Sequence, residues 1–364
     1  MSCSFLKKFI LIVAISTVGL NAYAQEDLVF AFDIVRHGDR TPLLKIPNSP
    51  HEWAEGMGQL TARGMRQELQ RGEILRRKYM EQYHLLPAHF QHETMYVFST
   101  DTDRTLMSAQ SLLLGLYSLG TGPHLSTGKT ALPIEFQPIP IHTQPSSSSP
   151  FIDDADKEKY TERLSQYVIT QPEWIKKTKE LQALNAQNQD KFSSWSQATG
   201  LQLTTIGDLV LLADTLHIYQ IHRIPLPSQL SEDDVKEIIE TGLWGFITQY
   251  KTKEIASVIG SPLLLKISDS LYNASTQKTS LKYVLFSAHD NTILSVMTTL
   301  GAPLDHQPPY TSDLNFSLFK NDQGNYIVRV SYNDKPVKIP SCGGTSCTLE
   351  QFTNLIGYHP QDGS

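Results

Sequence analysis

The sequence predicts an α/β fold interrupted by a mostly helical insertion, and three observations carry that reading. Three short apolar runs, at residues 28–35, 95–99 and 283–287, each end in a polar loop that opens a helical pattern, which is the order of strand, loop and helix in an α/β sheet. Two further β-rich runs, at 314–319 and 326–332, are joined by Asn321-Asp322-Gln323-Gly324 and read as a hairpin. Between about 130 and 255 the strand signals fade and helical periodicity takes over.

In chain order, residues 1–24 read as a signal peptide. Lys7 and Lys8 give the positive start, Phe9 to Leu20 the apolar core, and Ala22-Tyr23-Ala24 the small-residue cleavage site, so a mature chain would begin near Gln25 and be exported to the periplasm or beyond. Cys3 precedes the apolar core, which argues against a lipid anchor. After the opening strand, Thr61 is placed to cap a helix running to about Tyr83, with Met65, Leu69, Leu75, Tyr79 and Tyr83 at helical spacing. The run Met95 to Ser99 turns through Thr100-Asp101-Thr102-Asp103-Arg104 into a second helix ending near Leu116, and Arg104 falls in its first turn, where free N–H groups favour an anion.

Prolines 133, 138, 140, 145 and 150 and a tetraserine at 146–149 mark the entrance to the insertion, within which 153–166, 173–187 and 201–221 read as helices. The expected organisation is therefore an α/β domain formed by 25–129 and 256–364, with 130–255 as a helical cap. Beyond it, 263–271 reads as a helix with Ser261 as N-cap and Pro262 in first position. The loop Ala288-His289-Asp290-Asn291 opens a helix through Leu300, and a last helix spans 348–356. Cys342 and Cys347 survive cleavage. In an oxidising compartment they read as a short-loop disulfide, which the chain-entropy model values on the order of 2 kcal/mol.

Charge narrows the function. Removing Lys7 and Lys8 leaves 29 basic against 37 acidic side chains, a net of −8, which excludes a general binder of nucleic acid or anionic membrane and makes any phosphate recognition local. That local signal is Arg36-His37-Gly38-Asp39-Arg40-Thr41-Pro42, at the carboxyl end of the first strand, where open α/β sheets place ligands. Arg36 and Arg40 are planar forks matched to phosphate oxygens, and they flank one imidazole. They also disfavour a further positive charge, so they should lower the pKa of His37 and keep a ring nitrogen free as a nucleophile. Arg104 would complete the cradle, His289 would join it as a protonated ligand, and Asp290 would supply the proton to a leaving alkoxide, which implies an acidic optimum. Asp39 would orient an arginine, and Asp33 would face a loop or pair with one. The two guanidiniums would repel a dication at His37, His289 and Asp290, so no metal is expected.

Taken together, Arg36 to Pro42 and the pair His289-Asp290 resemble the two signatures of the histidine acid phosphatases. Gly58-Gln59-Leu60-Thr61, the run Ser99 to Ala109, Gln137-Pro138-Ile139-Pro140 and the Cys342 to Cys347 loop resemble the prostatic and lysosomal branch of that family. The resemblance implies a mixed sheet with helices on both faces, of the phosphoglycerate mutase type, plus a helical cap. It also implies no cofactor, a phosphohistidine on His37, phosphate binding by Arg36, Arg40, Arg104 and His289, and proton donation by Asp290. Small phosphomonoesters would be the substrates, tartrate an inhibitor, and a homodimer the assembly often seen. Where the distal motif commonly continues with threonine, this chain has Asn291. A phytase shares both motifs, but residues 130–255 carry 11 basic and 17 acidic side chains, which favours broad monoesterase activity over a hexakisphosphate substrate. A non-catalytic phosphate-binding protein is the reading from a different class.

Overall fold

A computed structural model describes residues 26–143, 169–187 and 191–358. The signal peptide expected at 1–24, the tetraserine and the helix expected at 153–166 lie outside the described residues. The central sheet is mixed, with the order β2 (Met95–Ser99), β3 (Tyr283–Ala288), β1 (Glu26–Arg36), β4 (Asp313–Asn321), β5 (Tyr326–Tyr332) and β6 (Lys335–Pro336), and β7 (Ser346–Thr348) also pairs with β5. Strands β2, β3 and β1 are parallel, whereas β4 runs antiparallel to β1 and β5 to β4, which is the expected hairpin.

Both sheet faces are covered because β1 is apolar on both. Phe30, Phe32 and Ile34 join one core cluster with residues of α7 (Lys253–Ser275), α8 (Asp290–Thr299) and α9 (Leu349–Ile356). Ala31 and Val35 join another with α1 (Ala62–Arg76) and α2 (Asp103–Leu116). The period of two in a strand sends alternate side chains to opposite faces, and here both faces are core. Thr61 caps α1 by accepting from the Gly64 N–H, as its sequence context predicts, and the helix continues into a π-helical turn, Arg77–Gln82. A disulfide joins Cys342 and Cys347.

A third core belongs to the inserted segment. It holds Trp195, Leu209, Leu212, Leu216 and Ile238 from α4 (Lys191–Thr199), α5 (Ile206–His222) and α6 (Glu232–Thr248), with Leu181 of α3 (Pro172–Gln187). Ile46, from the loop after β1, anchors in the same core. The helix expected at 201–221 begins only at Ile206, because Thr205 and Asp208 form a capping box there and Leu203 is buried in the preceding connection. Residues 139–142 run along the sheet instead: Ile139 and Ile141 pack beside the second core, and His142 bridges to Phe98.

The helix expected to start at Pro262 starts at Lys253, with the proline inside it. A proline there costs about 3 kcal/mol in lost hydrogen bonding and ring clash. Burial of Ile255 and Ala256 before it and of Leu263, Leu264, Ile267 and Leu271 after it outweighs that cost.

Candidate active site

Strand register brings the predicted residues together. Arg36 of β1 pairs with Ala288 of β3, and Ser99 of β2 pairs with Ser287, so three chain segments leave the sheet at one level. The His37 N–H donates to the Ala288 carbonyl at 3.0 Å and the Thr100 N–H to that of Ser287 at 3.2 Å, extending the ladder one residue into each loop. His37, Arg40, Arg104, His289 and Asp290 all line one cavity of about 290 Å³. Arg36 reaches it by an ion pair to Asp290 at 2.7 Å.

His37 is 2% exposed. Its Nδ1 lies 2.8 Å from the Gly38 carbonyl, which can only accept, so Nδ1 carries the hydrogen and Nε2 keeps the lone pair. Burial first, then Arg36, His289, Arg104 and Arg40, hold its pKa well below the usual imidazole value. The ring is therefore neutral under acidic conditions, for the electrostatic reason the sequence suggests plus a larger contribution from burial. The glycine beside it is dictated by packing. A Cβ on Gly38 would sit 2.5 Å from the Gly64 carbonyl oxygen, and one on Gly64 would sit 2.2 Å from that of Asp39. The loop thus touches the first turn of α1 backbone to backbone.

Three guanidiniums converge on the ring. Arg36 lies 4.4 Å above the Tyr310 ring and donates to the Pro308 carbonyl. Arg40 is held by Asp214 of α5 in a two-pronged pair, Nη1 to Oδ2 and Nη2 to Oδ1, both at 3.0 Å. Arg104 sits in the first turn of α2, and burial followed by repulsion from Arg40 lowers its pKa to about 10. The Nε–H groups of all three are buried with no partner. Unpaired donors on mutually repelling cations, in a cavity, are the setting an anion relieves.

His289 departs from expectation. Arg104 donates to its Nδ1 at 3.4 Å, so Nε2 carries the hydrogen, facing Thr100 Oγ1 at 3.0 Å. Burial and then Arg104 outweigh the pull of Asp290 and bring its pKa down to about 3. His289 is therefore neutral, not protonated, because the sequence showed the nearby carboxylate but not the depth of burial. For Asp290 burial raises the pKa, but Arg36, a 2.7 Å hydrogen bond from Gln307, His289 and Arg40 together leave it lowered. Its Oδ1 accepts from the Asn291 N–H at 2.8 Å, and the Asn291 side chain donates to Tyr250.

Two secondary expectations are corrected. Asp39 orients no arginine: Thr61 Oγ1 donates to its Oδ2 at 2.5 Å, and Nε2 of His222 lies 2.8 Å from the same oxygen. Asp33 meets neither a loop nor an arginine. It points from β1 into the core, where Tyr79 and Tyr283 donate to Oδ2 at 2.7 and 2.9 Å and Asn315 donates to Oδ1 at 2.6 Å.

The sequence reading missed Asp214, Gln307, Tyr310 and His222. Asp214 and His222 lie on a helix whose pattern announces only an apolar stripe. The Gln307-Pro308-Pro309-Tyr310 segment was the one local signal, since two prolines stiffen a connection that bears two polar side chains. Among the described residues no three His, Cys, Asp or Glu side chains cluster so as to hold a metal ion. No helix among them is long and apolar enough to cross a membrane. A second cleft, about 600 Å³, lies between the π-helical turn and β4 and β5 and contains none of the predicted residues.

Comparison with known proteins shows the family of the chain. The family described as the histidine phosphatase superfamily, branch 2, matches residues 27–333. The lysosomal acid phosphatase of Bos taurus is 30% identical over 358 residues, covering 95% of this chain and 81% of that protein. The prostatic acid phosphatase of Homo sapiens is 29% identical over 367 residues, covering 93% and 87%. Among solved structures, the phytase of Citrobacter braakii superposes with a TM-score of 0.66 at 16% identity, covering 91% of this chain and 97% of that one. The Hafnia alvei phytase in complex with tartrate gives 0.62 at 18%, covering 92% and 98%. The phytases share the fold.

Proposed function

The chain belongs to branch 2 of the histidine phosphatase superfamily, and from that premise we propose that it is an acid phosphatase working through a phosphohistidine. The carrying observation is a neutral, buried His37 whose unprotonated Nε2 stands among three guanidiniums with unpaired Nε–H groups. In the first step Nε2 bonds to phosphorus as the ester P–O bond breaks. Arg36, Arg40 and Arg104 stabilise the equatorial oxygens, joined by His289 as its Nε2–H turns from Thr100 Oγ1 to the phosphate, and Asp290 gives its proton to the departing alkoxide. In the second step Asp290 accepts a proton from water, the water oxygen bonds to phosphorus, and the N–P bond breaks to release phosphate and restore the ring.

Asp290 is ionised at rest, so its proton must arrive with the substrate. Two effects supply it. A phosphate monoester with a second pKa of about 6 enters as the monoanion under acidic conditions. Its charge also offsets Arg36 and Arg40, the groups that lower the carboxyl, so proton affinity at Asp290 rises on binding. Activity falls as pH rises because both sources of the proton are lost.

The substrate end of the cavity is lined by Leu43, Val210, Leu211, Leu243 and Phe246, with Asp214 as the charged group the insertion contributes. Such a wall suits the apolar or aromatic alcohol of a single phosphate ester. A hexakisphosphate would need further cations there, so we favour broad monoesterase activity over a phytase. The test is turnover of phytate against p-nitrophenyl phosphate, and faster turnover of phytate would reverse the choice. The same reading assigns 130–255 as the cap, export after cleavage near Gln25, and inhibition by tartrate, whose carboxylates suit the arginine cradle.

A further inference from the structure

We propose that His222 is a positioning residue for the nucleophile loop, acting through Asp39 and tying helix α5 to the segment that carries His37. This rests on the phosphatase reading above.

Asp39 lies between His37 and Arg40, and its carboxylate is fully buried. Oδ2 receives Thr61 and His222, while Oδ1 is buried without a hydrogen-bond partner. His222 is the basic side chain within ion-pairing distance of Asp39 among the described residues, and it keeps 19% exposure. Since a carboxylate only accepts, Nε2 donates, and it does so in the imidazolium and in one neutral tautomer. The tether therefore holds across pH.

The main chain at Asp39 is fixed from a different side. Its N–H donates to Gln67 of α1 at 2.9 Å, and its carbonyl accepts from the Thr61 N–H at 3.0 Å. The α/β body thus holds the backbone and, through Thr61, part of the carboxylate, while α5 holds that carboxylate from the cap side. His222 is the last residue of α5, where the helix dipole favours positive charge, and its ring is braced edge-on by Trp53 at 5.0 Å. Eight residues earlier on the same helix, Asp214 grips Arg40. One rigid helix therefore fixes the residues at 39 and 40, immediately after the nucleophile and its glycine. Small displacements of a nucleophile from its in-line position are expensive in rate, so this clamp should appear in kcat.

The test measures kcat and KM for p-nitrophenyl phosphate in His222→Ala, His222→Phe, His222→Gln, Asp39→Ala and the double variant Asp39→Ala with His222→Ala, with thermal unfolding of each. His222→Ala should lose on the order of tenfold in kcat with KM within about twofold, and His222→Gln, which keeps a donor, should recover most of it. The double variant should be no slower than Asp39→Ala alone, because removing the acceptor has already broken the tether. A folded His222→Ala variant with kcat within twofold of wild type overturns the proposal, as does a multiplied loss in the double variant. If His222→Ala does not fold, His222→Phe decides: it keeps a ring beside Trp53 but no donor, and kcat within twofold of wild type overturns the proposal. An inactive wild-type protein would instead strike at the phosphatase reading.

Discussion

The two walls of the site are built in opposite ways. The wall from the α/β body consists of Arg36, His37, Arg104, His289 and Asp290, each at or within a few residues of the carboxyl end of a parallel strand. Their convergence follows from backbone register, Arg36 opposite Ala288 and Ser99 opposite Ser287. The wall from the insertion, with Leu211, Asp214, Leu243 and Phe246, depends on how α5 and α6 dock over Ile46 and the loop after β1. Register sets the level at which the first wall's segments leave the sheet. Docking fixes the second, whose apolar lining meets the rest of the substrate while α5 also grips Arg40 and Asp39. On the proposed mechanism the first wall carries the reaction, and the second carries selection and positioning.

Damage to the first wall should therefore be severe on every substrate. His37→Ala should reduce kcat by roughly 10³-fold or more on aryl and alkyl phosphates alike, measured by steady-state release of phosphate. Asp290→Asn comes next, with a loss of roughly 10²-fold or more on an alkyl phosphate and a smaller one on p-nitrophenyl phosphate, whose phenolate leaves without help. Equal losses on both would remove Asp290 as the acid. Asp214→Asn touches the second wall and should be milder: Arg40 loses its fork, and KM should rise about threefold to tenfold while kcat changes less. A collapse of kcat to the level of Asp290→Asn would erase the division between the walls.

A smaller effect concerns pH. Burial and the surrounding arginines hold the pKa of His37 well below that of a free imidazole, about 6.5. The kcat/KM profile should accordingly show no acid limb near pH 6.5. Smallest is a stability effect in the body. Glu68 and Asp313 are buried, and burial foremost raises both carboxyls well above the ordinary value, with Glu68 lacking any hydrogen-bond partner on either oxygen. A raised carboxyl favours the folded state below the unfolded pKa and loses that contribution as pH rises toward the folded one. Glu68→Gln should thus raise Tm at pH 7 more than at pH 4, by calorimetry.

What the sequence revealed follows the same division. The wall at the strand ends was legible because His37, Arg104 and His289 each sit where an apolar run meets a helix start, and that pattern is local. Asp214 and His222 were not, because on a helix with an apolar stripe nothing local separates a carboxylate that grips Arg40 from one that faces water. The neutral state of His289 and the tyrosine partners of Asp33 escaped for a related reason, since burial depth is a property of the assembled fold. Pro262 misled because a local start signal was overridden by the packing of one long helix between α8 and α9.

The most direct measurement is acid-free rapid quench of the wild-type protein with a ³²P-labelled phosphomonoester, followed by peptide mapping. The account predicts an acid-labile, base-stable phosphoryl group on His37, formed and lost at rates consistent with kcat. Turnover with the label on another residue, or with inversion at phosphorus and no labelled protein, would contradict it.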